Sequence, residues 1–308
     1  MAIDLKMFNP HTADKVSRLF DLLTEINRHP QLAGKLCMHG GTAINLFLLD
    51  IPRLSVDIDM SYIGQSGREE MLADRPSVEA AIEEVGSFLG YNVTSGKGDH
   101  AGRTFRFRYR GSTGADYVKI DMIYLNRVPL LKPQQMTSEF RSSVPVTVFA
   151  APELIGGKVK AFYDRVKVRD LFDIANLNAY MKELIAGGIY TEDICHKLML
   201  FHAAISKRFP QQLANRASIS FIGREDEVIE QLDPMLQDGR RANLDDLIAG
   251  GDEFVERFVL PQTDKEEEFL SRFAKADYAP ELLFEGNILD NARANPEALW
   301  KLANLRKM

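Results

Sequence analysis

Two aspartates separated by one residue, Asp57 and Asp59, carry the plainest chemical potential in this chain. They sit in Ser55-Val56-Asp57-Ile58-Asp59-Met60-Ser61, where apolar Val56, Ile58 and Met60 alternate with polar residues. A period of two predicts a half-buried strand. Residues two apart on a strand are about 6.6 Å apart and point the same way, so the two carboxylates stand side by side. Such anions repel each other unless a cation lies between them. Carboxylate oxygen is what Mg²⁺ takes, with phosphate oxygens completing its shell. Upstream, His39 is followed by Gly40-Gly41-Thr42. A tight glycine turn after a short strand over 35–39, feeding a helix near Thr42, can direct backbone N–H groups at phosphate. A phosphate cradle, a Pro52 turn and then a carboxylate pair together predict the handling of a nucleoside triphosphate. Alone, each part is commonplace: an Asp-x-Asp is usually a solvated strand face, and a Gly-Gly usually only a turn.

A third carboxylate, Asp121, lies within the apolar run Val118 to Tyr124. A charge there costs free energy unless it is paired or binds metal; the plainer alternative is a surface aspartate on an edge strand. From Arg103 to Arg110, aromatics alternate with arginines. This puts Phe105, Phe107 and Tyr109 on one face and Arg106, Arg108 and Arg110 on the other. The arginines form either a solvated face or a positive rail for phosphate, which arginine grips bidentately.

In this order and spacing, the glycine turn and the aspartate pair resemble the nucleotidyltransferase superfamily that includes DNA polymerase β. The fuller strings, residues 40–47 and 53–59, resemble the AbiEii/AbiGii toxin family, nucleotidyltransferase-like toxins of bacterial toxin–antitoxin and phage-defence pairs to which the MenT tRNA-modifying toxins belong. The resemblance extends through 153–177 and covers roughly 35–180. It implies Asp121 as the third metal carboxylate beside Asp57 and Asp59. It implies two Mg²⁺ ions, with Gly40, Gly41, Thr42 and Ser55 holding phosphate oxygens. It also implies a lysine in the helix opened by Pro152-Glu153, here Lys158, and an Arg-Asp-x-x-Asp run opening the next helix, here Arg169, Asp170 and Asp173. Lys158 would neutralise triphosphate charge and Asp173 would orient it or a reacting hydroxyl; a salt bridge joining the two helices is the structural alternative. Relatives commonly carry lysine before the glycine pair, where this chain has His39.

The elements that must position these residues are legible in outline. Val16, Leu19, Phe20, Leu23 and Ile26 predict an amphipathic helix after Asn9-Pro10, and 74–90 predicts another, closed by Gly90. The stretch 64–75 reads as loop and 91–128 as strands, with a hairpin turn at 111–114. Residues 128–150 read as a proline-marked connection with a short strand at 144–149. From 170 onward the pattern is helical, with helices expected over 191–209, 226–236, 244–248, 252–259 and 263–275 and a last one opened by Asn295-Pro296. Gly156-Gly157, inside the helix that carries Lys158, costs roughly 1 kcal/mol per glycine relative to alanine and implies close approach of a backbone or ligand. The expected architecture is α+β: an N-terminal polymerase-β-like catalytic lobe of mixed sheet and helices over 1–150, then a C-terminal helical bundle over 151–308 that contributes Lys158 and Asp173 to the cleft.

The chain has 308 residues, a net charge of −6 and two cysteines, Cys37 and Cys195. The charge excludes a uniformly basic nucleic-acid coat but not a local basic groove. The cysteines fit no metal spacing and suit a reducing cytoplasm. His196 and His202, six apart, do not share a helix face. No signal peptide is legible at the N-terminus, and no apolar run approaches the roughly 20 residues of a membrane span. The resemblance implies transfer of a nucleotide from an NTP to RNA, in some relatives the tRNA 3′ end, blocking translation, and a cognate antitoxin. Competing functions are transfer to a small molecule or a protein hydroxyl, and a catalytically inert nucleotide-binding module.

Overall fold

The computed structural model describes residues 8–49, 53–111, 114–210 and 220–307. The Pro52 turn, the tip of the 111–114 hairpin and the first seven residues lie outside them. The chain divides into two compact units, Met1–Phe149 and Ala150–Met308.

The first unit opens with helix α1 (Pro10–Arg28). Asn9 caps it, its side-chain oxygen accepting the His11 N–H at 2.9 Å, and Pro10 fits the first turn because the N–H it lacks has no helical acceptor there. Then follow β1 (Leu36–His39), α2 (Gly40–Ala43) continuing as a π-helical turn over Ile44–Leu48, β2 (Asp57–Tyr62) and α3 (Arg68–Phe88). Strands β3 (Asn92–Ser95), β4 (Gly102–Gly111), β5 (Gly114–Ile123), β6 (Gln134–Ser138) and β7 (Arg141–Val148) complete it. All seven form one sheet in the order β3-β4-β5-β2-β1-β7-β6. The pairs β2–β5 and β1–β7 are parallel and the rest antiparallel, so the sheet is mixed. One face is the core: Ile58, Met60, Phe105, Phe107, Val118, Ile120 and Met122 are buried on it. Helix α3 covers that face, and Gly86 lets it approach so closely that a Cβ there would lie 2.5 Å from Phe107 and Val93.

Three expectations change here. Helix α3 begins six residues earlier than the proline pattern predicts and runs through Pro76. Asp74, inside it, accepts from Lys35 Nζ at 2.8 Å and Tyr62 Oη at 2.6 Å. The helix after the glycine pair starts at Gly40 rather than near Thr42. Residues 128–150 are not merely a connection: β6 and β7 form a hairpin that extends the sheet past β1.

The second unit is helical: α4 (Ala151–Arg165), α5 (Val168–Ala186), α6 (Glu192–Ala204), α7 (Leu244–Phe258), α8 (Asp264–Ala274), α9 (Gly286–Ala294) and α10 (Pro296–Leu305). Thr263 and Glu266 form a capping box at the start of α8, two orphan N–H groups satisfied reciprocally. Residues 244–259 form one helix rather than two. Gly250, the apparent break, lies inside α7, where a Cβ would come within 3.0 Å of Ala175 on α5. Residues 226–236 are not one α-helix but short α, π and 3₁₀ turns, and α9 was not foreseen. Gly156 on α4 faces the His202 ring of α6, 2.3 Å from where a Cβ would stand, whereas Gly157 faces open space. The close approach implied by the glycine pair is therefore a side chain of the same unit, and only Gly156 needs it.

Candidate active site

The sheet face opposite the core carries the chemistry. In the parallel β2–β5 ladder Asp59 pairs with Asp121 and Asp57 with Lys119, and across the antiparallel β4–β5 ladder Thr104 pairs with Asp121. Partners in register share a face, and the period of two keeps Asp57, Asp59, Lys119, Asp121 and Thr104 on the same one. Asp121 is therefore no edge-strand aspartate: β5 is an inner strand and the carboxylate stands beside Asp59.

Lys119 ties the cluster together. Its Nζ lies 2.8 Å from Asp121 Oδ2 and 3.2 Å from Asp57 Oδ2. Burial alone would lower its pKa, but the hydrogen bond to Asp121 and the charges of Asp57 and Asp121 outweigh burial and hold it above the ordinary lysine value. The Thr104 hydroxyl donates to Asp121 Oδ1 at 2.6 Å, fixing the carboxylate from the other side. Among the described residues no three His, Cys, Asp or Glu side chains converge at metal-binding spacing as they stand; the lysine ammonium takes the place between Asp57 and Asp121. Neither Lys119 nor Thr104 was singled out in the sequence. The signal was available: Lys119 precedes Asp121 by two, the same period that joins Asp57 to Asp59.

The glycine turn meets this face at Asp59. Gly40 has φ +78°, and a Cβ on it would fall 2.1 Å from Asp59 Oδ2. Any other residue would meet both a disfavoured backbone region and the carboxylate. Asp59 is thus pressed against the first residue of α2, where the positive end of the helical segment favours an anion. Thr42 is buried, and its hydroxyl donates to the Asp57 carbonyl with the Ser55 hydroxyl 2.8 Å away. Asn45 Nδ2 donates to the Gly41 carbonyl at 2.9 Å. Thr42, Ser55 and Asn45 therefore fix the turn over β2. His39, whose register partner is Asp59, stacks on Phe149 with centroids 5.6 Å apart.

Lys158, Asp170 and Asp173 belong to the second unit. Lys158 Nζ lies 3.0 Å from Asp170 Oδ1 and 2.6 Å from Asp173 Oδ2, joining α4 to α5, and all three side chains are almost fully buried. Arg165 adds a second partner to Asp170 at 2.6 Å. Burial pushes the Asp170 carboxyl up, but the charges of Lys158 and Arg165 outweigh it and hold the group below the usual range. Cys37 and Cys195 are buried, and burial together with Glu192 raises the Cys195 thiol to about 11. No described helix is long and apolar enough to cross a membrane.

A mixed sheet presenting carboxylates from two adjacent strands, with a glycine turn packed on one of them and a helical unit following, defines the nucleotidyltransferase class. The family model described as "Nucleotidyl transferase AbiEii toxin, Type IV TA system" matches residues 21–260, and the chain belongs to that family. Two solved structures share the fold. JHP933 from Helicobacter pylori has a TM-score of 0.53 at 13% identity, covering 81% of this chain and 92% of its own. MenT4, the nucleotidyltransferase toxin of Mycobacterium tuberculosis, has a TM-score of 0.52 at 15% identity, covering 96% and 93%. No curated protein matches the sequence. The protein is therefore a toxin-type nucleotidyltransferase of a type IV pair, a class that works on a nucleotide substrate with a divalent metal and has an antitoxin partner.

Proposed function

We propose that this protein transfers a nucleoside monophosphate from an NTP to an RNA hydroxyl, the tRNA 3′ end, releasing pyrophosphate and so stopping translation. The observation that carries the reading is the Asp59–Asp121 register beneath Gly40. Three carboxylates on one face are a hard-oxygen donor set suited to Mg²⁺, and the cationic Lys119 held between two of them supports a preference for positive charge there. Asp57, Asp59 and Asp121 would hold the metal, two ions in the reading taken from the family. When bound, it would polarise the phosphoryl group and lower the pKa of the attacking hydroxyl.

The chain's own groups do the rest. Gly40 and Gly41 leave the turn open to triphosphate oxygens, with Thr42 and Ser55 at its base. Thr104 keeps the Asp121 carboxylate aimed, and Lys119, once released from its two partners, is a donor for the same phosphates. Lys158 and Asp173 enter through the family resemblance, Lys158 toward triphosphate charge and Asp173 toward orientation. The acceptor hydroxyl attacks the α-phosphorus, a P–O bond forms, and the bond to pyrophosphate breaks. The test is incubation with α-labelled NTPs, Mg²⁺ and total RNA. Label should enter RNA with the wild type and fall at least about 100-fold with Asp57→Ala, as expected when a charge-stabilising group is removed. Undiminished labelling by Asp57→Ala refutes the site, and label found only on protein or small molecules refutes the acceptor.

A further inference from the structure

The reaction face continues beyond its carboxylates. Strand β4 places Arg106, Arg108 and Arg110 on the same face as Thr104, and all three are exposed. Arg106 pairs in register with Lys119, Arg108 with Tyr117 and Arg110 with Ala115. The row therefore runs from Lys119, beside the aspartates, toward the β4–β5 hairpin. Successive arginines are about 6.8 Å apart along the strand. On the core side of the same strand Arg103 is neutralised by Glu79 at 2.7 Å. Among the described residues the three outward arginines make no ion pair. Like charges on adjacent same-face positions repel, and keeping three unneutralised in a chain of net charge −6 points to an anion that meets them together. Across the ladder, Tyr117 is 43% exposed and offers a ring face on which a base can stack.

We infer that Arg106, Arg108 and Arg110 form a track for the phosphodiester backbone of a single-stranded RNA end, leading it along β4 toward Asp57, Asp59 and Asp121. This rests on the RNA reading above and adds the residues that hold the acceptor. A single strand carries one charge per nucleotide, and a flat strand face with spaced guanidinium groups and a ring suits it better than the closed grooves of a duplex.

The probe is a fluorescently labelled single-stranded oligoribonucleotide of about 12 nucleotides, within the footprint range of such sites. Its affinity is measured across a salt series. For single strands each neutralised phosphate contributes about 0.7 to the slope of log K against log salt. Arg106→Gln/Arg108→Gln/Arg110→Gln should lower the slope by about 2 and weaken binding about 100-fold at 0.1 M relative to 1 M salt. Arg106→Gln alone should lower the slope by about 0.7, which keeps the test intact should the triple variant fold poorly. A charge-matched control, Arg240→Gln/Arg241→Gln/Lys265→Gln, should leave the slope unchanged, and NTP binding should be the same in every variant. If the wild type binds no RNA, the RNA reading itself fails and the track with it. If the wild type binds RNA and the β4 variants bind equally well, the track is refuted while the RNA reading stands, and the face passes to an acidic protein partner. A control variant that loses as much affinity as the β4 triple also refutes the track.

Discussion

Replacing Lys119 with methionine should tighten metal binding, the reverse of the usual result of mutating a charged active-site residue. The ammonium contacts Asp121 at 2.8 Å and Asp57 at 3.2 Å, with side chains 26%, 29% and 50% exposed for Lys119, Asp121 and Asp57. Partly exposed pairs contribute about 0.2–1 kcal/mol each, so two of them hold the lysine by about 0.4–2 kcal/mol. A divalent cation entering between the aspartates must displace that hold. Without the lysine, the Kd for Mn²⁺ should fall about 2–30-fold, the equivalent of about 0.4–2 kcal/mol. Metal-free Lys119→Met should be less stable than the wild type by a similar amount, because Asp57 and Asp121 then lose the cation between them. Saturating Mn²⁺ should restore the difference by mass action. Titration by calorimetry or by the loss of the free Mn²⁺ resonance measures the first effect, and urea melts with and without Mn²⁺ measure the second. Lys15→Met is the control: Lys15 pairs with Asp116 at 2.9 Å on the core side of β5 and should leave Mn²⁺ affinity unaltered. Unchanged or weaker Mn²⁺ binding by Lys119→Met would refute the reasoning, since the lysine would then not compete for the position.

Four further outcomes follow from the same geometry. Gly40→Ala should abolish transfer, because the methyl would overlap the Asp59 carboxylate, whereas Gly90→Ala, at φ +80° with nothing within 4 Å, should cost only the roughly 1–2 kcal/mol of a left-handed alanine and leave transfer intact; equal loss in both would refute the contact argument. Gly156→Ala should destabilise by about 1–3 kcal/mol through overpacking on His202, while Gly157→Ala should stabilise by up to about 1 kcal/mol, read as opposite shifts in thermal midpoint. His202 is buried in α6, and burial pulls its pKa to about 3, with Lys160 adding to the effect. The unfolded chain binds a proton below about pH 6.5 that the folded chain refuses until about pH 3, so this contribution is complete above pH 6.5 and declines on acidification by at most about 1.4 kcal/mol per pH unit; denaturation at pH 7 and 5 should show a slope that His202→Leu reduces. Lys158→Met should cost about 3–5 kcal/mol by removing the cation that bridges the buried Asp170 and Asp173 carboxylates; a variant as stable as the wild type but inactive would instead place the lysine's role in the reaction.

The sequence made the aspartates legible because a strand has the simplest of periods. Asp57 and Asp59 needed only that rule, and Asp121 needed the cost of a charge in an apolar run. Their meeting was beyond it: the β2–β5 register that sets Asp59 against Asp121 joins segments about 60 residues apart, and no local pattern encodes a parallel pairing across an intervening helix and two strands. The same limit hid the β6–β7 hairpin: of the prolines that read as connection, Pro129 and Pro133 lie outside its strands, and Pro145 sits in β7 where the pairing is irregular between Met136 and Ser138, a place that tolerates a missing N–H. The π-helical turn after the glycines escaped for a related reason. Its buried Ile44, Asn45, Leu46 and Leu48 pack by tertiary demand, and propensity carries no signal for a wider turn. The glycines show their causes only in the fold: Gly156 yields to a histidine ring while its neighbour Gly157 meets nothing, Gly40 yields to a carboxylate, and Gly250, left in a gap between two expected helices, yields to an alanine on a neighbouring helix.

Electrostatics connects these observations. A face bearing three carboxylates is intrinsically self-repelling, and a fold that keeps it must offset the repulsion before any substrate arrives. Here the offset is local and removable: a partly exposed lysine between Asp57 and Asp121, a threonine hydroxyl on Asp121, and a helix start against Asp59. A permanent counter-ion of the kind built around Lys158, almost fully buried with two carboxylates, would be too tightly held to give way to metal and phosphate. The contrast between the two lysines separates the arrangements physically. Lys119 is weakly enough held to exchange for an incoming cation at a cost of about 0.4–2 kcal/mol, whereas displacing Lys158 would leave buried charge exposed to a penalty of several kcal/mol. Exchangeable charge suits a site that must admit a cation, and the contrast favours the β2–β5 face as the place where the proposed metal enters.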